Sequence, residues 1–514
     1  MGSFPRVGRR LAWPAAVLAL LLVVTSCGTR VPDREVRRDL ARTAFRQGGA
    51  GLGAAGPAHG GGVHTTSRAT RNRGGGKHSS AGGGGHGGGG GSAPAGAVAA
   101  GGGGGGDSRG GRGSSGSGGC SGGSTDVGVT ATSIKVGASY AESSLIPGEF
   151  RPAVDAVGAY LDSVNRSRGV CGRRFQYVTY NDGLDAGTYE ANVRRLVEKD
   201  KVFSLLGSLS AADSGGCNYM GSQKPPNGVP DVGAFSLSYC RGQSANFLSP
   251  VGSLHPGLYG CCAEWDFLEH KYGFHHPAVH YLDVAISHDE GLEVVDSLVR
   301  TLHLSGRGAV YQGEHSAAQF DYTGDVIQMQ QHGVDSVWSS MDLNNDVKLV
   351  RAICQQGWHP KVIHLEVSSY DPSLQDRIGA SCVSSQNIWM RSVFLPFTSS
   401  NPQIRRYVAT LHGYCSSCPP TTFGMMGWLS AEMFVDAVRA AGGNLTRAAL
   451  YRRLDALRNW TAGGVMGPVT PSQRIPYHCN TMLHVVANGF VQGSGMLCGP
   501  FYREGDYSGP PAAG

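Results

Sequence analysis

Residues 150–164 read FRPAVDAVGAYLDSV, and their apolar side chains recur at Phe150, Val154, Val157, Leu161 and Val164. These steps of four and three residues follow the period of an α-helix, so the stretch predicts a helix with one buried face. Short runs rich in β-branched and aromatic residues flank it at 134–137 and 175–180 and predict strands. Strand, helix and strand in this order form the repeating unit of a parallel sheet.

The same alternation continues along the chain. Further strands are predicted at 202–206, 278–282, 309–311, 334–340 and 362–365, and further helices at 189–197, around Trp265, at 292–302 and at 346–356. Strands that alternate with helices of this length form parallel sheets covered on both faces, so the predicted fold class is α/β. Ligands of such sheets bind beyond the carboxyl ends of the strands.

Glycine and charge are unevenly distributed. Residues 48–124 hold 35 of the 80 glycines and too few large apolar side chains to offset the entropy of ordering, so a disordered tether is predicted over 28–124. Four histidines lie in it, but their irregular spacing favours solvated side chains over a metal tract, and no metal site is predicted.

The folded part is mildly acidic. Residues 1–124 carry 15 Lys and Arg and 4 Asp and Glu. The rest of the chain therefore carries 29 Lys and Arg and 34 Asp and Glu, a net charge of −5. This charge argues against nucleic-acid binding by the folded part. Its length of about 390 residues is enough for two lobes.

The N-terminus has the pattern of an export signal. Arg6, Arg9 and Arg10 precede an apolar run over 11–24 that is too short to span a bilayer comfortably. The following Val24-Thr-Ser-Cys27 resembles the bacterial lipobox, in which the cysteine becomes the lipidated first residue. Residues 1–27 are therefore predicted to be a lipoprotein signal, and an acylated Cys27 would hold the protein on the outer face of the cell membrane. An ordinary secretory signal with an incidental cysteine is the alternative.

The twelve cysteines beyond Cys27 indicate an oxidising compartment. Two pairs are predicted because each links a helix to a segment one element later: Cys217 with Cys240, and Cys354 with Cys382. The sequence Cys415-Ser-Ser-Cys418 has the spacing of a redox motif, but it follows no strand and precedes two prolines, which favours a structural bridge within a loop. A partner for Cys120 is left open.

A third pair follows from a hairpin predicted over 477–497. Asn488-Gly489 is a strong signal for a two-residue turn, which pairs residues whose numbers sum to 977. Cys479 and Cys498 satisfy this sum. Opposed residues of an antiparallel ladder lie about 4.5 to 5.5 Å apart at Cα, within the range of a disulfide.

Three segments carry a resemblance to a known family: GVTATSIKVG at 128–137, RGVCGRRFQY at 168–177 and GVMGPV at 464–469. Together with the order of the elements over 126–502, they resemble the leucine/isoleucine/valine-binding solute-binding proteins of ABC importers, which have the type I periplasmic-binding fold. The resemblance implies two doubly wound lobes joined by three hinge crossovers near 249–253, 390–396 and 462–466. It assigns 125–250 and 396–462 to the first lobe, and 251–395 and 463–505 to the second.

The resemblance also implies a ligand site in the cleft between the lobes. Hydroxyls after the third strand hold the ligand's carboxylate in the family, and Ser208 and Ser210 match them, with Ser236 at the next such position. Helix N-capping is the alternative role of these serines. Trp428 matches an aromatic residue of the cleft.

Three further positions would complete this site. Glu366 matches the acidic residue that contacts an amino-acid ligand's ammonium, although a surface carboxylate in a loop is the alternative. His288 and Asp342 fall where the family often has aromatic residues, which points to a solute more polar than leucine.

The sequence shows no catalytic constellation in its folded part: G-x-S-x-G, H-E-x-x-H and the Walker glycine loop are all missing from it. This argues against an enzyme, and the resemblance implies a monomeric binding protein without a cofactor. It would capture a small polar solute, an amino acid or an amide, and deliver it to the permease of an ABC importer. The alternative is a sensor of the same fold that acts through a separate signalling partner.

Overall fold

The computed structural model describes Cys120 and residues 122–142 and 149–507. All of them belong to the unit Ser117–Gly514. The predictions of a signal over 1–27, of lipidation at Cys27 and of a tether over 28–119 lie outside the described residues. Within the part that is described, no helix combines the length and the apolar character needed to cross a membrane.

The first sheet consists of five parallel strands. They are β1 Ser133–Tyr140, β2 Arg174–Asn181, β3 Ser204–Leu206, β4 Asp231–Val232 and β5 Phe247–Leu248. The helices between them are α1 Arg151–Arg166, α2 Ala186–Arg194, α3 Cys217–Ser222 and α4 Tyr239–Gly242. The strand order β2-β1-β3-β4-β5 is that of a doubly wound sheet. The predicted apolar stripe of α1 is confirmed, since every one of its residues is buried.

The second sheet has seven strands. They are β7 Pro277–Leu282, β8 Tyr311–His315, β9 Ser336–Ser340, β10 Val362–Leu365, β11 Ile388–Ser392, β12 Cys479–Val486 and β13 Gly489–Cys498. A separate short pair joins β6 Leu258–Gly260 to β14 Phe501–Arg503. The helices are α5 Ala263–Tyr272, α6 Ala285–Thr301, α7 Thr323–Gln331, α8 Leu343–Gln355, α9 Leu374–Ile378 and α10 Ala380–Ser385. In the order β13-β12-β11-β10-β9-β7-β8, only β12 and β13 run antiparallel to their neighbours.

The predicted strand at 309–311 differs from the structure. Residues Arg307–Ala309 form a 3₁₀ turn, and β8 begins at Tyr311. Because β8 lies at the edge of its sheet, it is a mixed strand, YQGEH, without the apolar pattern of a central strand.

The chain returns to the first sheet after β11. Helices α11 Pro402–Tyr414, α12 Thr422–Ala441 and α13 Arg447–Asp455 share one apolar core with β1, α1 and β3. The Trp428 ring of α12 meets the Tyr160 ring of α1 edge-on, with centroids 4.7 Å apart. We call the first sheet with α1–α4 and α11–α13 the first lobe, and the second sheet with α5–α10 the second lobe. The predicted fold class is confirmed.

Two of the predicted crossovers lie beside later segments of the chain. At the first, the Ser253 amide donates to the Ile475 carbonyl at 2.9 Å. At the second, the Leu395 amide donates to the Val465 carbonyl at 2.8 Å.

The third crossover falls later than predicted. Residues 462–466 were expected to contain it, but Ala462, Val465 and Met466 are buried in the first lobe's core. Arg474 is also held there, because its guanidinium Nε donates to the Phe247 carbonyl at the start of β5 at 3.1 Å. The passage therefore lies between Arg474 and the start of β12, and the predicted lobe boundary at 463 is about ten residues early.

The C-terminal hairpin contains the predicted cysteine pair but not the predicted turn. Val486 pairs with Gly489, so Ala487 and Asn488 form the turn instead of Asn488 and Gly489. A bulge farther along the hairpin adds two residues to β13 and shifts the register back. Cys479 then lies opposite Cys498, and the two are bonded.

Six disulfides occur within the described part of the chain. They are Cys120–Cys171, Cys217–Cys240, Cys261–Cys262, Cys354–Cys382, Cys415–Cys418 and Cys479–Cys498. The first corrects the tether prediction, because it joins Cys120 to the turn before β2. The Arg173 guanidinium also donates to the Gly123 carbonyl at 3.0 Å. The end of the predicted tether, up to residue 124, therefore belongs to the folded part.

Candidate functional site

A cavity of about 430 Å³ lies between the two lobes. Its walls come from both lobes. From the first lobe, residues 149–150, 211, 214, 235 and 237–239 face the cavity, and from the second, residues 282, 284–287, 289–290, 340–342 and 366–368. Most of these segments follow the carboxyl ends of strands, where α/β sheets bind ligands. The volume is that of a small-molecule site.

Most of the wall is apolar. The larger contributors are Phe150, Leu184, Phe235, Leu254, Leu282, Ile286, Met341, Phe423, Met426 and Tyr477. The rings of Phe150 and Phe423 touch, with centroids 5.3 Å apart. Such a wall favours a ligand with an apolar body over a wholly polar one.

The ionisable side chains of the wall are all acidic. Five carboxyls reach it, and none of the described lining residues is Lys, Arg or His. The carboxyls belong to Glu149, Asp289, Glu290, Asp342 and Glu366. Residues 143–148, which the structure does not describe, contain no basic residue either.

Glu366 follows β10 and is 5% exposed, so the alternative of a surface loop carboxylate is wrong. Its Oε1 accepts from the Val367 amide at 2.8 Å, and its Oε2 accepts from the Arg391 guanidinium at 2.9 Å. A buried carboxylate needs such partners. Arg391 on β11 therefore supplies the cation that the resemblance would assign to a ligand.

Asp342 follows β9 and caps α8. Its Oδ1 accepts from the Asn344 amide at 2.7 Å and from the Asn345 amide at 3.2 Å. This carboxylate lines the cavity while it satisfies amides at the start of a helix.

Glu149 and Glu290 differ from these two carboxylates in their raised pKa values. Oε2 of Glu149 is buried without a hydrogen bond, and burial followed by repulsion from Asp342 raises the pKa of Glu149 to about 8. Burial followed by repulsion from Glu366 raises the pKa of Glu290 to about 8. Both carboxyls are therefore mainly protonated near neutral pH in the ligand-free cavity.

The three serines matched by the resemblance are fully buried and do not line the cavity. Ser210 donates to Asp182 at 2.8 Å, and Ser236 donates to Asp213 at 3.0 Å. Ser208 accepts from the Ser139 amide at 3.3 Å. Two internal carboxylates thus occupy hydroxyls that the resemblance assigns to a ligand carboxylate.

His288 and Trp428 also lie outside the lining. Nδ1 of His288 is 3.2 Å from Oε1 of Glu314. The Trp428 ring is buried in the first lobe between Tyr160 and Tyr407.

Helix geometry explains these two differences. On α6, the first turn lines the cavity, and then Asp289 and Glu290, which lie i+3 and i+4 from Ile286. The His288 ring instead packs against Tyr281 and Glu314. On α12, Phe423 and Met426 face the cavity at the same i, i+3 spacing. The helical period of the sequence carries this signal, which the matching of single positions missed.

No group of three or more His, Cys, Asp or Glu side chains in the described ranges is arranged to hold a metal ion. The five wall carboxyls are thus not arranged as a metal site. The cavity offers apolar contact and acidic groups for ligand recognition.

Two doubly wound lobes that share one cavity define a two-lobed ligand-binding protein. The sequence profile of the family described as "Periplasmic binding protein" matches residues 133–489. The chain therefore belongs to the periplasmic binding protein family, with the fold implied by its resemblance to leucine/isoleucine/valine-binding proteins.

Solved structures share this fold at low sequence identity. A leucine-binding protein from Thermotoga maritima is 14% identical, with 71% of this chain and 99% of that chain covered and a TM-score of 0.58. A branched-chain amino acid transporter substrate-binding protein from Streptococcus pneumoniae, solved with isoleucine, is 14% identical, with 70% and 100% covered and a TM-score of 0.54. A fatty acid ABC transporter substrate-binding protein from Thermomonospora curvata is 16% identical, with 73% and 94% covered and a TM-score of 0.57. No curated protein matches the sequence.

Proposed function

We propose that this chain is an extracytoplasmic, non-enzymatic solute-binding protein that delivers a small solute to the permease of an ABC importer. The observation that carries the proposal is the cavity lined by both lobes. A ligand that contacts both walls only when the lobes close favours the closed state by its differential affinity. Closure brings together a surface that a permease recognises.

The cavity divides the predicted site residues into two groups. Asp342 and Glu366 contact the solute or the water around it, since both line the cavity. Ser208, Ser210 and Ser236 act from behind the wall, where they hold Asp182 and Asp213 or the end of β1.

Export and anchorage complete the proposal. We propose that the signal pattern over 1–27 directs export and that a lipidated Cys27 would hold the protein on the outer face of the cell membrane. The disulfides of the described residues support an oxidising compartment.

A thermal-shift screen of the purified chain tests solute binding. The panel contains amino acids, amides, amines, carboxylates and fatty acids. We expect at least one class to raise the melting temperature in a concentration-dependent manner, since a ligand that binds only the folded state stabilises it. A flat response across the panel contradicts the proposal.

A further inference from the structure

The described cavity wall carries carboxyl groups and no Lys, Arg or His side chain. Arg391, which acts on Glu290 and Glu366, already pairs with Glu366 at 2.9 Å. A ligand carboxylate enclosed here would lose its water and gain no opposite charge. A ligand cation would instead lie next to several groups that carry the opposite charge when ionised.

The serine hydroxyls that the resemblance assigns to a ligand carboxylate are already used. Ser210 and Ser236 each donate to a buried aspartate, at 2.8 and 3.0 Å. Asp213 also receives the Arg241 guanidinium at 3.2 Å. A zwitterionic solute would have to displace these internal carboxylates.

Buried polar atoms without partners lie in the wall itself. Ser340 is 3% exposed, lines the cavity, and its hydroxyl has no hydrogen-bond partner among the described residues. Oε2 of Glu149 is also buried without a hydrogen-bond partner among these residues. Buried polar groups are normally satisfied, so both are acceptors open to a donor from a ligand.

From this geometry we infer that the cavity takes an amine-bearing solute with an apolar body, bound as its ammonium ion, and not a zwitterionic amino acid. The ammonium donates to Glu149, Glu290 and the Ser340 hydroxyl, and the body packs against the aromatic and aliphatic wall. The inference rests on the proposed function, since it assigns a ligand class to the same cavity.

The acid–base state of the wall sets the pH dependence of binding. Glu149 faces the carboxyls of Asp342, Asp346 and Asp371. Each raises its pKa after burial does, so the free site holds a proton near pH 7.

Glu290 behaves in the same way. It faces Glu366, Asp289 and the Arg391 guanidinium, and Glu293 lies near it. An incoming ammonium favours the ionised carboxyls, so binding releases protons and tightens as the pH rises toward 8.

Calorimetric titration of the purified full chain with four matched probes tests the ligand class. The probes share a branched apolar body and differ in charge: 3-methylbutylamine is a cation, leucine a zwitterion, 4-methylpentanamide neutral and 4-methylpentanoate an anion. We expect the amine to bind at least about tenfold more tightly than the other three. In two buffers of different ionisation enthalpy, its heat is expected to reveal proton release.

Matched variants locate the effect. Glu149→Gln and Glu290→Gln each keep side-chain size, so each is expected to weaken amine binding by about 10- to 100-fold and to reduce its pH dependence. Glu198→Gln is the control, since Glu198 is an exposed carboxylate 3.6 Å from Arg194 and outside the cavity. The proton-release measurement on the wild-type chain needs no variant.

Other results overturn the inference. Tighter binding of leucine, the amide or the carboxylate would reject the amine class while the proposed solute binding stands. Amine binding that neither releases protons nor responds to either glutamine variant would reject the carboxyl site. If none of the four probes binds, the inference fails, and the broad thermal screen decides separately whether the cavity takes any solute.

Discussion

Replacement of Glu290 by Gln is expected to make the stability of the ligand-free protein less sensitive to pH. The pKa of Glu290 is about 8 in the folded state, because of burial and then repulsion from Glu366, against about 4.3 in an unfolded chain. Between these values the folded state binds a proton that the unfolded state has released. This carboxyl's contribution is therefore fully present below about pH 4 and is lost as the pH rises toward 8.

The size of the effect follows from one proton. A full proton of difference corresponds to about 1.4 kcal/mol of unfolding free energy per pH unit. Glu290 is only partly buried, so solvent screening lowers the expected slope to about 0.5 to 1 kcal/mol per pH unit. Its isosteric amide keeps the side-chain size and removes the titrating proton, so the wild-type and variant curves should differ in slope within this window and run parallel above and below it.

Urea unfolding at about pH 5, 6, 7 and 8 provides the assay. Glu149, Glu293 and Asp346 also have raised pKa values, but they are present in both proteins. The difference between the curves therefore reports the Glu290 carboxyl together with its repulsion of Glu293. The surface variant Glu198→Gln serves as the control and should follow the wild type. Parallel curves for wild type and Glu290→Gln across the whole range would refute the reasoning.

Three further predictions concern the rest of the chain. Glu366→Gln is expected to lower the free energy of unfolding by about 1 to 3 kcal/mol, because Arg391 loses its carboxylate partner; urea unfolding measures this, and the double variant with Arg391→Met should regain part of the loss. Cys27→Ser is expected to release the protein from membranes, and a variant that still fractionates with membranes would show that this residue is not the anchor. Deletion of 48–119 should leave the thermal midpoint almost unchanged, since the Gly-rich sequence of this segment predicts few contacts with the lobes; a fall of many degrees would show that the segment packs on them.

Regular elements could be predicted from the sequence because their periodicity is local. The stripe from Phe150 to Val164 on α1 depends only on spacing along one helix, and all five of its residues are buried. The edge position of β8 and the late third crossover depend on contacts between residues distant in sequence. One such contact joins Arg474 to the Phe247 carbonyl of β5. In the hairpin, the turn lies one residue earlier than predicted, but the bulge in β13 shifts the register back by the same amount. Cys479 therefore still lies opposite Cys498.

The candidate site was less predictable because a motif position does not specify where a side chain points. Ser210 and Ser236 occupy the expected loops, but they face Asp182 and Asp213, whose positions nearby depend on the folded sheet. Asp342 and Glu366 reach the cavity because each lies within two residues of the end of a strand of the second sheet. Glu149 and Glu290 carry no motif, and only the packing of the two lobes brings their carboxyls to one cavity.

Hydrogen–deuterium exchange with and without a solute that raises the melting temperature tests the central claim most directly. If the solute is enclosed between the lobes, peptides covering 282–290 of the second lobe and 422–426 of the first should both become protected. A peptide covering α13, which lies outside the cavity, should not change. Protection confined to one lobe, or spread evenly over both lobes and α13, would contradict capture of the solute between the lobes.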